Sequence, residues 1–127
     1  MYIEWDDNIN KFDCCDDLHV KVRSLFLVSL QLNRSFFANV VGKRGDILSV
    51  GISPRLSTLS YNGIDGNPPY FSSFNGNNTD ETMNFDFFGS VSEVLLSTII
   101  DIEHAIIAVN YFCLYGGIST NIRWKEH

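Results

Sequence analysis

Three runs, Phe36-Phe37-Ala38-Asn39-Val40-Val41, Ile47-Leu48-Ser49-Val50-Gly51-Ile52 and Leu56-Ser57-Thr58-Leu59-Ser60-Tyr61, follow one another with only residues 42–46 and 53–55 between them. Each is rich in β-branched and aromatic residues and is bounded by Gly, Asp, Ser or Pro, which is the composition of short strands. A parallel crossover needs a dozen or more residues, so connections this short join antiparallel neighbours. The same composition returns at Tyr70–Phe74 and at residues 83–88. Between these runs, residues 62–69 and 75–80 are built from Asn, Gly, Asp and Pro, which favour turns and forbid a continuous ladder.

On either side of this meander the period lengthens. After Asp101, apolar residues recur at Ile102, Ile106, Val109 and Cys113, widened by Ala105, Ala108 and Phe112. That is helical spacing. Asp101 is placed to cap the helix, Glu103 sits in its first turn, and Gly116-Gly117 supply a stop, which predicts a helix over about 102–115. The segment 16–32 fits two periods locally. Leu18, Val22, Leu25, Phe26 and Ser29 share a helical face, whereas Leu18, Val20 and Val22 alternate with polar residues as in a strand. A run of this length exceeds an ordinary strand, so a helix with an acidic start at Asp16-Asp17 is expected.

With residues 3–5 in front and 121–125 at the end, the order reads β-α-β-β-β-β-β-α-β. The expected fold is α+β, an antiparallel meander of about six or seven strands with two helices packed on one face. At 127 residues, 45% of them hydrophobic, the chain is expected to form one domain, able to bury about two-thirds of its unfolded surface in a single core.

Charge is unevenly distributed. Net charge is −5 over residues 1–17, +5 over 18–60 and −6 over 61–127, giving −6 for the chain. Two acidic blocks repel phosphate backbones and attract a basic partner. The central basic block either lies on a far side or pairs with the acidic N-terminal segment. The richest apolar window, residues 94–118, is interrupted by Asp101, Glu103, His104 and Asn110, so no membrane span is expected, and residues 1–7 lack the basic lead and apolar stretch of a secretory leader. The three cysteines, Cys14, Cys15 and Cys113, cannot all pair, and adjacent cysteines make a poor bridge. The reading is of a core that needs no staple and of a reducing compartment.

The residues of catalysis are scattered. No two histidines have the spacing of a zinc helix, Cys14-Cys15 cannot converge on a metal as separated thiols do, and no phosphate-cradling glycine motif follows a strand. No cofactor or metal is expected. A carboxylate enzyme would need a raised pKa at one of Asp86, Glu93 or Glu103, and a small-ligand or regulatory domain would use the sheet face or loop 62–69 as a pocket mouth. A protein-binding module suits the residues better, because Tyr61, Tyr70, Phe71 and Phe74 flank loops of adaptable polar residues. The candidate contacts are Asp65, Tyr70, Asp80, Glu81 and Asp86. Phe71, Phe74, Phe85, Phe87 and Phe88 are expected mainly in the strand core.

The C-terminal half carries a resemblance. Phe85-Asp86-Phe87-Phe88-Gly89, then Ile100-Asp101-Ile102-Glu103-His104-Ala105 opening a helix, then Ile122-Arg123-Trp124-Lys125-Glu126 closing the chain, resembles the first immunity-protein family (Imm-one) of bacterial polymorphic toxin systems. The likeness covers residues 83–127, with Glu103 and the Trp124-x-Glu126 ending at motif positions. It implies a small cytoplasmic antidote, without catalysis of its own. Such an antidote occludes the active site of a cognate toxin, often a nucleic-acid deaminase with a basic, nucleic-acid-acting domain, and itself binds neither nucleic acid nor membrane.

Overall fold

The computed structural model describes residues 1–127. It is an α+β fold with one large sheet. The strands are β1 (Tyr2–Trp5), β2 (Asn8–Lys11), β3 (Phe36–Val41), β4 (Ile47–Ile52), β5 (Leu56–Asn62), β6 (Tyr70–Phe74), β7 (Thr82–Phe87), β8 (Ser90–Leu95), β9 (Ile99–Asp101) and β10 (Arg123–Glu126). The helices are α1 (Cys15–Leu32) and α2 (Ile102–Tyr115). The main order is β10-β6-β5-β4-β3-β1-β2, antiparallel throughout, with β9 added to β5. The hairpin β7–β8 is attached at the start of β3 by one parallel bridge, Phe36 to Asp86. β3 to β6 and both helices stand where the periodicity put them, whereas the run at residues 83–88, expected to continue the meander, pairs with β8 and β3 and not with β6, whose outer edge β10 takes. The strand count is ten because β2, β8 and β9 add to the expected set.

Alternation along the strands sorts the side chains into two faces. Ile3, Phe36, Ala38, Val40, Leu48, Val50, Ile52, Leu59 and Tyr61 point to the face that the helices cover. The helices bring Leu18, Val22, Leu25 and Phe26 from α1 and Ala105, Ile106, Ala108, Val109 and Phe112 from α2 to the same core. The two helices run antiparallel, tied in sequence by a Cys15–Cys113 disulfide, a His19–Asn110 hydrogen bond of 2.8 Å and a bidentate Arg23–Glu103 pair at 3.0 Å.

That disulfide corrects the expectation of an unstapled core. Adjacent Cys14 and Cys15 do not pair with each other; helix packing brings Cys15 within 5.8 Å (Cα–Cα) of Cys113, 98 residues away. Cys14 is the free, exposed thiol. The cysteines therefore give no support to a reducing compartment.

Capping holds at one helix and fails at the other. Asp101 Oδ1 accepts the His104 backbone N–H at 2.7 Å, as its position implied, and Gly116 follows α2 at φ 74°. At α1 the cap residue is Cys14, which offers no side-chain bond, while Asp16 and Asp17 lie in the first turn and act only on the helix dipole. No helix is long and apolar enough to cross a membrane.

The opposite face of the sheet carries a second, smaller cluster. Phe85 is buried there, its ring centroid 5.3 Å from that of Phe37, and Phe87 lies 5.5 Å from Phe37. Gly51 makes this possible. A Cβ at that position would stand 2.3 Å from the Thr58 side chain and 3.1 Å from the Phe85 ring, so only glycine lets the hairpin press onto the sheet.

Candidate partner-binding surface

The hairpin β7–β8 turns through Phe88-Gly89, both at positive φ (51° and 93°). Two positive values are what a two-residue turn needs to match strand twist, and Asn-Gly is its usual sequence. A bulky Phe in the left-handed region is an outlier held by its surroundings. The hold is visible. Asp86 Oδ1 accepts the Gly89 N–H at 2.8 Å, and Asp86 Oδ2 accepts Arg34 Nη2 at 2.5 Å. Arg34 also donates twice to Asp6, both at 2.7 Å, and lies 5.0 Å over the Phe36 ring. The Arg34 guanidinium holds the Asp6 carboxyl below the usual carboxylate range. The guanidinium's own pKa is raised by the same two partners.

This clamp fixes an aromatic knuckle. Phe87 and Phe88 remain 42% and 37% exposed with ring centroids 5.0 Å apart, although the sequence placed both in the strand core. They border a concavity of about 370 Å³ whose other walls include Glu4, Asp7, Asn39 and Ile9. Glu4 accepts a hydrogen bond from Asn39 at 3.4 Å, and Ile9 is 64% exposed. The concavity thus brings Phe87, Phe88 and Ile9 together with the acids Glu4, Asp6 and Asp7. Composition gave the acids and the aromatic run, but the turn that exposes Phe88 had no recognisable Asn-Gly signal.

The sequence candidates do not form one footprint. Asp65 lies in a tight turn at φ 55°, its N–H bonded to Gly45 O at 3.2 Å, so it sits against the β3–β4 connection. Tyr70 donates its hydroxyl to Gly66 O at 2.9 Å and closes loop 62–69. Asp80 and Glu81 are exposed at the base of β7, and neither belongs to an ion pair. Asp86 stands near the other end of that strand, about 17 Å from Glu81 at the rise of an extended chain. It is not a free contact residue, because Arg34 and the turn amide engage its carboxylate.

The motif positions are largely structural. Glu103 is paired with Arg23, which lowers its pKa, the reverse of what carboxylate catalysis at that residue requires. Trp124 packs against the core and donates Nε1–H to Ser119 O at 2.7 Å. Glu126 is exposed on β10. Of the basic block, Arg34 pairs with the acidic N-terminal segment through Asp6, which settles that alternative for this residue.

A second concavity of about 390 Å³ lies at the far end of β5, where Lys43, Arg44, Ile64 and Tyr115 surround Tyr61 and the buried Asp46. The Tyr61 hydroxyl donates to Asp46 Oδ2 at 3.2 Å, and burial, followed by the nearby carboxylate, raises its pKa. No three His, Cys, Asp or Glu side chains converge as a metal site would require. No family model and no curated protein matches the chain.

Proposed function

We propose that this protein is an antitoxin of the immunity-protein kind, which neutralises a cognate toxin by covering its working cleft. The observation that supports this reading is the Phe87–Phe88 knuckle, two exposed rings locked on a hairpin beside Glu4 and Asp7. Rigid aromatic anchors surrounded by polar groups are the usual carriers of binding energy at protein interfaces. A toxin domain that acts on nucleic acid, such as a deaminase, presents a basic groove, and acids beside the knuckle accelerate encounter with it. The knuckle belongs to the segment that resembles the Imm-one family. Protection of the producing cell demands affinity of about −12 kcal/mol or better, the nanomolar range. The antitoxin carries out no reaction of its own and needs no cofactor. It acts in the cytoplasm of the producing cell, a placement that rests on this reading alone.

The test is co-expression with the product of the neighbouring gene. The expected result is rescue from toxicity and a stable complex, both lost in a Phe87→Ala/Phe88→Gly variant that still unfolds near the wild-type temperature. Turnover of a substrate by the purified protein, or a neighbouring locus that encodes no lethal effector, would remove the proposal. A small-ligand domain predicts instead that a metabolite raises the melting temperature and that no protein does.

A further inference from the structure

The free edge of β8 makes a second kind of surface, independent of the aromatic tip. Residue pairs in an antiparallel hairpin alternate between those that exchange hydrogen bonds and those that do not. Two bonds fix which is which. The Asp86 N–H donates away from β8, to Ser35 O at 2.9 Å, and the Leu96 N–H donates to Glu81 O at 2.9 Å. Asp86 opposite Val91 and Thr82 opposite Leu95 are therefore non-bonded pairs, and Asn84 opposite Glu93 shares their phase. The N–H and C=O groups of Val91, Glu93 and Leu95 consequently point outward, where no strand pairs with them, and of these the Leu95 C=O accepts the Thr98 hydroxyl at 2.8 Å.

Exposed edges are ordinarily guarded by Lys, Pro or a bulge. This one reads Ser-Val-Ser-Glu-Val-Leu, with Val91 76% and Leu95 44% exposed. It overhangs a groove of about 400 Å³ on the outer sheet face. Ser49, Ser60 and Ser72 stand in one row across β4, β5 and β6 and line it. Ser49 bonds Asn39 and Ser72 bonds His127, which leaves the Ser60 hydroxyl between them. No Lys or Arg lines the groove, and Glu93 is its one carboxylate.

We infer that the outward edge of β8, with the serine-lined groove beside it, accepts an extended segment of a partner protein as an added strand carrying a Lys or Arg toward Glu93. Backbone bonds to the N–H and C=O groups of Val91 and Glu93 and to the Leu95 N–H supply the pairing, and the groove favours small polar side chains on the facing side. A second copy of this chain fits less well, because the symmetric antiparallel register that uses all three outward residues sets Glu93 against Glu93. The inference goes beyond the antitoxin reading, since any partner with such a segment satisfies it.

The probe is a blocked octapeptide of alternating Thr and Lys, which sets small polar side chains on the groove side and Lys on the Glu93 side, followed by ¹⁵N shifts and amide exchange in the full chain. The expected result is slowed exchange at Val91, Glu93 and Leu95. Affinity should fall at least about tenfold, or about 1.4 kcal/mol, when alternate peptide amides are N-methylated, when Lys is replaced by Glu, and in Val91→Pro. That proline is tolerated because the Val91 N–H points to solvent, and the milder Glu93→Gln should weaken the Lys peptide without altering the melting temperature. Absence of protection at those three amides, or equal affinity for the N-methylated peptide, overturns the inference, as does a concentration-dependent dimer abolished by Val91→Pro. If toxin rescue succeeds and the peptide fails, the edge proposal falls alone; the reverse pattern removes only the antitoxin.

Discussion

Replacing Arg34 by Met should loosen the hairpin by more than an exposed ion pair would allow. Arg34 makes three charge-assisted bonds to Asp6 and Asp86, and the three side chains are only 31–33% exposed. Fully exposed pairs contribute about 0.2–1 kcal/mol each, whereas hydrogen bonds to charged groups in drier settings contribute about 1.5–3 kcal/mol. Screening at one-third exposure brings the two carboxylates to about 1 kcal/mol each, and contact with Phe36 adds about 0.5–1 kcal/mol. The variant also leaves two partly buried carboxylates facing one another without their cation. A loss of about 2–4 kcal/mol at pH 7 follows, against about 1 kcal/mol for Asp86→Asn. The pH dependence provides a second check. Asp6 has a lowered pKa in the fold, so its contribution is complete above the unfolded carboxylate value of about 3.9 and is lost as pH falls through the lower folded value. The difference between wild type and Arg34→Met, measured by urea unfolding, should therefore shrink as pH is lowered below about 3.9. A difference under about 0.5 kcal/mol at pH 7, or one that stays constant down to pH of about 2, would refute the clamp.

Other consequences are open to direct measurement. Reduction of Cys15–Cys113, which spans 98 residues, should lower stability by about 2–4 kcal/mol in melts with and without dithiothreitol, while Cys14→Ala changes nothing; alkylation of Cys113 in the unreduced protein would contradict this. Phe85→Ala, at a side chain 1% exposed, should cost about 3–5 kcal/mol by denaturant unfolding. Phe88→Gly alone should do the opposite, leaving stability unchanged or raising it by up to about 1 kcal/mol, because glycine adopts positive φ freely, yet it should still weaken partner binding in a pull-down. Asp101→Ala should destabilise by about 1 kcal/mol through the lost cap. Because that carboxyl's pKa is lowered chiefly by the His104 backbone bond, the penalty should fade as pH drops through the carboxylate range.

The readable part of this fold was the part whose side chains alternate between core and solvent. β3, β4 and β5 and the stripes of α1 and α2 could be placed because each buries an apolar set at its own period. β2 has four exposed residues, Asn8–Lys11, and is a strand only by pairing with β1, so no burial pattern marked it. β9 spans three residues, too few for a period. Residues 83–88 read as a strand through Phe88 because aromatics favour strands, whereas the turn takes Phe88 and supplies its support from Asp86 and Gly89. Asp86 looked like a free contact acid on its strand because its partner Arg34 lies 52 residues away. The disulfide was hidden for the same reason, since its partners meet only through the antiparallel packing of two helices. Local patterns thus located the scaffold, and the surface depends on long-range contacts that no local pattern records.

Those long-range contacts also determine how well the hairpin can bind. A two-stranded hairpin alone is marginal in water, and a mobile one would lose binding energy on being ordered. Here Phe85 is seated over Gly51, Asp86 is held by Arg34, and the Asn75 side-chain amide donates to Leu96 O at 2.7 Å, so the inner face, the turn and the base of β7–β8 are each fixed separately. The ordering cost is met during folding, so under the proposed readings a partner would meet Phe87, Phe88 and the β8 edge already in place. Loosening the hairpin at Arg34, which does not line the concavity beside Phe87 and Phe88, should therefore weaken binding of the proposed partner, and the loss should appear chiefly as faster dissociation. Charge reversal at Asp7, which leaves the clamp intact, should instead slow association and flatten its dependence on salt.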